Sequence, residues 1–365
     1  MKLKEITDCL EAFTPLAYQE SYDNAGLICG NHNMDIKGAL ICLDSTEAII
    51  DEAIANGCNL VIAHHPIIFS GLKKITGKNY VERVIIKAIQ NNIAIYAAHT
   101  NLDNVHCGVN AQIAKKLGLI NCKILAPSSN AGLKKLITFC PEANAEAIRT
   151  ALFVAGAGHI ANYDQCSFNT PGTGTFRAGE GTTPFVGKQG QQHRENELRI
   201  ETIYPQHIES ALIKALLKAH PYEEVAYDLV SLTNTNNRIG AGLIGELTSE
   251  TDEMLFLKQL KTLMNTDSIR YTALRDKKIK KIAVCGGSGS FLLGDAIKNG
   301  AELFITSDFK YHQFFDAENH IVIADIGHYE TEQFTMELFY DILKEKFSTF
   351  AFLITKINTN PIKYL

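Results

Sequence analysis

Three short segments place histidines and carboxylates where apolar runs stop. In LVIAHHPIIF (60–69) an apolar strand runs into His64, His65 and Pro66. Proline cannot continue a central strand, so both histidines are expected at the strand's C-terminal end. Parallel α/β sheets bind their ligands at that edge. IAIYAAHTNLD (93–103) is a second apolar run, ending in His99 and Asp103. HIVIADIGHYETEQF (320–334) is a third, which stops at Gly327 and continues with His328 and Glu332, four apart. A helix starting near Thr331 would present both on one face of its first turn. Imidazole with carboxylate is ordinary ligation for a divalent transition metal. Each segment also has a plainer reading. Paired histidines can cap a loop, Asp103 can cap a helix, and Glu330 or Glu332 can simply answer the helix dipole. Glu330, off the shared face, fits that last role better.

Taken together, His64, His65, Asp103, His328 and Glu332 are too many ligands for one open catalytic zinc. They suit a pair of ions about 3.5–4 Å apart, with water in the open positions. Two carboxylates against four positive charges leave an excess of about +2, which would attract an anionic substrate or stabilise a bridging hydroxide. Zinc is the expected metal; iron, manganese and nickel also accept such ligands. Other segments carry weaker signals. GGSGS (286–290) could cradle phosphate or be a plain strand-to-helix turn, and no Gly-Lys-Ser/Thr follows to make it a P-loop. Asp308 and His312 in TSDFKYH could line the same cleft, and Asp23 and Asn24 could be caps or cleft residues. Glycines within 172–181 could bind an anion or belong to a flexible surface loop.

The elements that position these groups repeat. Residues 42–65 and 285–308 align without a gap and agree at Cys42/Cys285, Ser45/Ser288, Ala53/Ala296, Ile54/Ile297, Asn56/Asn299, Gly57/Gly300, Leu60/Leu303 and Ile62/Ile305. Each copy reads as strand end, turn, helix, Asn-Gly stop and buried strand. The segment between them differs in texture. Its pattern predicts strands over 133–139, 195–205 and 223–232, and helices over 143–156 and 207–220. With a fourth strand that is the β-α-β-β-α-β order of a ferredoxin-like sandwich. The expected fold is therefore α/β: a duplicated domain (1–125 and 237–365) with a dinuclear site between its halves, interrupted by an inserted α+β ferredoxin-like domain (126–236).

Composition narrows the function classes. The chain has 365 residues, 46% hydrophobic and 21% charged, enough for a large core. A net charge of −5 argues against strong nucleic-acid binding. No apolar run reaches the ~20 residues that span a bilayer. No signal peptide is expected at Met1-Lys2-Leu3, and nine scattered cysteines without a Cys-x-x-Cys pair suggest reduced thiols and a cytoplasmic address.

YDNAGLICG, AHHPIIF, HTNLD, GGSGS, TSDFKYH and GHYETE, in that order, resemble the Nif-three-like family, also known as GTP cyclohydrolase type-1-type-2 homologs. The resemblance covers nearly the whole chain. It implies a dinuclear metal centre at His64, His65, Asp103, His328 and Glu332, and a toroidal homohexamer capped by the insert. The insert, with GAGHIANYDQCSF, GTGTFRAGEG and HPYEEVAYD, looks like the copper-tolerance and nitrogen-regulator ferredoxin-like folds. Tyr22 stands where a Trp is common and Ala178 where a Pro is common. The family name implies hydrolytic opening of a guanine nucleotide ring or a similar cyclic compound. For such a reaction a nearby acid must protonate the leaving nitrogen, and His99 or His312 is the expected donor. A non-catalytic regulatory oligomer, with the insert as ligand sensor or docking module, is the alternative.

Overall fold

The computed structural model describes residues 1–128 and 132–365. The segment PSSNAG ahead of the strand expected over 133–139 reads as a loop, and it falls partly on 129–131, outside the described residues. The chain divides into two compact units, Met1–Ser128 with Asn237–Leu365, and Ser129–Asn236.

The first unit holds two mixed sheets. One orders Gly26–Cys29, Ala94–Ala97, Leu60–Ala63, Ala39–Cys42 and Phe352–Ile354, with only the first pairing antiparallel. The other orders Arg270–Tyr271, Val322–Asp325, Leu303–Ser307, Lys278–Ser288, Gly240–Asp252 and Ile120–Pro127, with the middle three parallel. Strands Ala39–Cys42, Leu60–Ala63 and Ala94–Ala97 are buried at every position, which is why they read as continuous apolar runs.

The two sheets share a plan. Ala39–Cys42, helix Glu47–Ala55 and Leu60–Ala63 correspond to Lys278–Ser288, helix Leu293–Lys298 and Leu303–Ser307. Both helices end at Asn-Gly, with Gly57 and Gly300 at φ +69° and +72°. That left-handed conformation carries no Cβ penalty in glycine. A third parallel strand, Ala94–Ala97 or Val322–Asp325, then adds to each pair. Ile49, Ile50, Val84 and Ile85 from the helices pack with Leu40, Val61 and Ile95 of the first sheet. Leu293 and Ala296 pack with Ala283, Phe304 and Ile323 of the second. Each such Ile, Leu or Val taken from water stabilises the fold by ~1.5–3 kcal/mol.

In the second unit, strand Leu133–Pro141, helix Ala145–Val154, strands Phe168–Arg177 and Gln192–Pro205, helix Glu209–Ala219 and strand Tyr227–Ser231 follow one another. The antiparallel sheet runs Phe168–Arg177, Gln192–Pro205, Leu133–Pro141, Tyr227–Ser231. Ile148, Leu152, Leu212 and Leu216 bury the helices against Leu136, Ile200 and Tyr204. The Gly- and Thr-rich stretch departs from its loop reading: Gly172 and Gly174 lie in the edge strand. Its backbone pairs with the adjacent strand at every residue from Phe168 to Arg177, so a strand with few side chains to pack still forms there. No described helix is long and apolar enough to cross a membrane.

Candidate metal centre

The residues that follow three parallel strands of each sheet meet in one place. His64 and His65 follow Leu60–Ala63, His99 follows Ala94–Ala97, and Asp44 follows Ala39–Cys42. From the second sheet come Gly286–Ser288, Asp308 after Leu303–Ser307, and His328 after Val322–Asp325.

Four imidazoles are anchored alike, through Nδ1. His64 Nδ1 is 2.9 Å from the Ala98 carbonyl, which can only accept, so this nitrogen carries the proton. His65 Nδ1 is 2.8 Å from Asp44 Oδ1, His99 Nδ1 2.8 Å from Asp23 Oδ1, and His328 Nδ1 2.7 Å from Asp308 Oδ2. Such partners fix the tautomer and leave Nε2 as the coordinating atom.

The Nε2 atoms of His64, His65 and His328 converge on Glu332. Its Oε2 is 2.9 Å from His65 Nε2 and 3.1 Å from His328 Nε2. Its Oε1 is 3.7 Å from His64 Nε2, which is 3.6 Å from Asp103 Oδ1. Ligand atoms of His65, His328 and Glu332 thus lie within 4.8 Å of one another, as do those of His64, Asp103 and Glu332. His64, His65 and His99 form a third such group. These groups could hold a metal ion. The buried His64 Nε2 and Asp103 Oδ1 make no hydrogen bond, an arrangement that is costly in a closed interior and natural around a cation.

Electrostatics point the same way. Burial lowers the pKa of His64 and keeps the ring neutral, the form that coordinates. Burial also opposes charge on His65 and His328, but Glu332 with Asp44 or Asp308 outweighs it and pushes them up to about 10 and about 11. Burial and the neighbouring Glu332 raise Asp103 well above the carboxylate range. Burial works against Glu332 too, yet His328, His65 and His64 hold it well below that range. An incoming cation therefore replaces protons with charge the site already accommodates.

The cluster opens into a cavity of about 490 Å³ whose lining includes His99, Asp103, His328 and Glu332. The ring of His99 stands 5.3 Å from that of His64 and 5.4 Å from that of His65. His312 is not brought there. The chain turns into the 3-10 helix Tyr311–Ala317, leaving His312 exposed against Tyr311 and Phe315. The last helix of the site also starts earlier than expected, at His328. Gly327, at φ +98°, makes the sharp turn into it. Glu330 faces away from the ligands as expected, but it is buried and accepts Asn360 Nδ2 at 2.9 Å. In GGSGS the Gly286 and Gly287 amides already donate to Asn110 Oδ1 and Thr331 Oγ1, so these two are not free for a phosphate.

Sequence reasoning missed Asp44 and Thr359. Thr359 Oγ1 donates to Asp44 Oδ2 at 2.6 Å while Asp44 holds His65, so Thr359 supports a candidate ligand. For Asp44 there was a signal: it follows an apolar strand in the same manner as Asp308 in the second sheet.

A profile of the family Duf34/NIF3 (NGG1p interacting factor 3) matches residues 1–361. A protein of Halalkalibacterium halodurans named GTP cyclohydrolase 1 type 2 homolog is 39% identical over 364 residues, covering 99% of this chain and 98% of that protein. A Bacillus subtilis protein of the same name is 38% identical, with the same coverage. Among solved structures, a Bacillus cereus protein related to NIF3 superposes with a TM-score of 0.89 at 38% identity, covering 100% of this chain and 99% of the other.

Proposed function

The chain belongs to the Duf34/NIF3 family, and from that premise we propose that it is a hydrolase dependent on two divalent metal ions, acting on a nucleotide or similar cyclic compound. One observation carries this reading: Glu332 belongs to two ligand groups at once, with Oε2 toward His65 and His328 and Oε1 toward His64. His65 and His328 would hold one ion, His64 and Asp103 the other, and Glu332 would span both. When bound, such ions supply Lewis acidity, polarising an electrophilic ring carbon and acidifying water. Asp44, Asp308 and the Ala98 carbonyl keep each ring's Nε2 aimed inward. His99, held by Asp23 through Nδ1 and facing the cavity, is the group whose bare Nε2 would take a proton from the attacking water and pass it to a leaving nitrogen. His312 has no part in it.

The proposal extends to the architecture. The matched strand–helix–strand units support a duplicated domain, and the strand order of Ser129–Asn236 supports an inserted ferredoxin-like domain. A toroidal homohexamer and a cytoplasmic setting complete it. The exposed Tyr271, Tyr311 and Phe315 support a protein contact, and nine free cysteines fit a reducing compartment.

A second reading, the regulatory oligomer, is favoured by a cavity of about 610 Å³ within Ser129–Asn236, walled by Phe176, Phe185 and Tyr222. Metal analysis of protein purified without added metal, followed by a hydrolysis screen with each metal found, separates the two. Chelator-sensitive turnover supports the hydrolase. Fully loaded protein inert toward every cyclic compound tried leaves the regulatory reading.

A further inference from the structure

Three large aromatic side chains stand exposed in the lining of the metal cavity: Tyr22 (67%), Phe69 (52%) and Phe291 (68%). They come from separate segments, the turn before strand Gly26–Cys29, the loop after Leu60–Ala63 and the short helix Ser290–Leu292. One exposed aromatic residue is ordinary; three around one cavity form a recognition surface. Phe69 stands edge-on to His99, with centroids 5.4 Å apart and planes at 80°. Exposed aromatic rings around one cavity can take a flat, stacked ligand.

The charge of the wall is the opposite of what phosphate needs. Among the described residues the lining holds no Lys or Arg, and its carboxylates are Glu20, Asp103 and Glu332. Phosphate sites rely on Arg, Lys or free backbone amides, and the Gly286 and Gly287 amides are already used. The metal charge does not repair this. Counting the ligands alone, two divalent ions leave an excess of about +2. Asp23, Asp44 and Asp308, which hold the imidazole rings, turn that into a deficit of about −1. A ring with N–H donors is better served: Glu20 Oε1 takes Asn104 Nδ2 at 3.0 Å, leaving Oε2 to accept from a ring nitrogen.

We infer that the cavity takes a flat, uncharged nitrogen heterocycle, as the base or nucleoside, stacked among Tyr22, Phe69 and Phe291, and discriminates against its triphosphate. This rests on the metal-centre reading above and names the substrate class of that site.

Equilibrium dialysis of the full-length, metal-loaded protein against guanosine, adenosine and GTP tests it, with metal content measured in the same samples. At least one nucleoside should bind about tenfold or more tightly than GTP, since like charges brought together in a closed site are strongly disfavoured. Tyr22→Ala and Phe291→Ala should each weaken nucleoside binding about five- to hundredfold at unchanged metal content, the range of one lost stacking contact. GTP binding as tightly as the nucleosides overturns the inference. So does the absence of nucleoside binding, or binding indifferent to both substitutions. If the metal analysis fails instead, the hydrolase reading falls. The wall is then more acidic still, and the order of nucleoside over triphosphate continues to read the pocket.

Discussion

His65 Nε2 lies 2.9 Å from Glu332 Oε2, although 267 residues separate them in the chain. Neither half of the first unit holds a complete set of ligands. His64, His65 and Asp103 come from one side of the inserted segment, His328 and Glu332 from the other. Protein purified without added metal should therefore carry about two ions per chain. His65→Ala with Glu332→Ala should lower that figure while circular dichroism stays native. Metal content unchanged in the double variant would contradict the assignment.

Ion uptake should release protons. Asp44 and Glu332 hold a proton on His65 up to about 10, and Glu332 and Asp308 hold one on His328 up to about 11. Coordination requires those nitrogens bare, so apparent affinity rises with pH and metal is lost on acidification. A pH-stat titration with zinc should record proton release at pH 7, diminished in His65→Ala.

Asp44→Asn should weaken metal binding about 10- to 100-fold, the usual effect of removing a carboxylate that orients a ligand histidine. Thr359→Val should act in the same direction and less strongly, because it loosens Asp44 without removing it. Competition with a chromogenic chelator reads both. Equal affinity in Asp44→Asn and wild type would mean that His65 needs no anchor.

Much of this is legible in the sequence. A polar residue that halts an apolar run marks a strand end, as His64 and His99 do, and His328 directly follows the Gly327 that stops the third run. Asp23, Asp44 and Thr359 were harder, because each acts on a partner 76, 21 or 315 positions away, and no local pattern reports such a pairing. The repeat misled at one point. Carried four residues past its end, its register puts His312 opposite Phe69, but the second copy winds into a 3-10 helix there and leaves His312 outside the cavity. The early start of the helix at His328 was hidden because a positive φ at Gly327 makes the turn in one residue.

Glu82 offers a pH test remote from the metal. Its carboxylate accepts the Thr76 and Lys78 amides at 2.8 and 3.0 Å and the Thr76 hydroxyl at 2.8 Å, which holds its pKa down to about 2. A depressed carboxylate stabilises the fold above its unfolded pKa of ~4.3 and loses that effect as pH falls through the folded value. Glu82→Gln should therefore melt below wild type at pH 6, and the gap should close between about pH 4 and pH 2. A gap that stays constant across that range would exclude the charge as its cause.

Removal of the inserted unit should leave a folded core. Ser128 N donates to the Ile239 carbonyl at 2.9 Å, and Gly240 pairs with Pro127, so the two chain ends flanking the insert are neighbouring strands. Residues 126–128 belong in the retained part, since they complete that pairing. Replacing 129–236 with a short glycine-containing turn should give a soluble protein that still binds metal. A soluble but metal-free product would show that the insert helps to build the site.

Strand Phe352–Ile354 lies beside Ala39–Cys42 at the edge of the first sheet. That sheet therefore waits for a strand synthesised more than three hundred residues after its neighbour. During translation the early strands emerge with one edge open, the inserted unit is made next, and only then do His328, Glu332 and the closing strand appear. A metal ion would meet all five candidate ligands only late in synthesis. A ribosome stalled anywhere before residue 328 would carry a protein with half a site, and the cell's supply of free metal would bear on maturation of the finished chain rather than on its earliest folding.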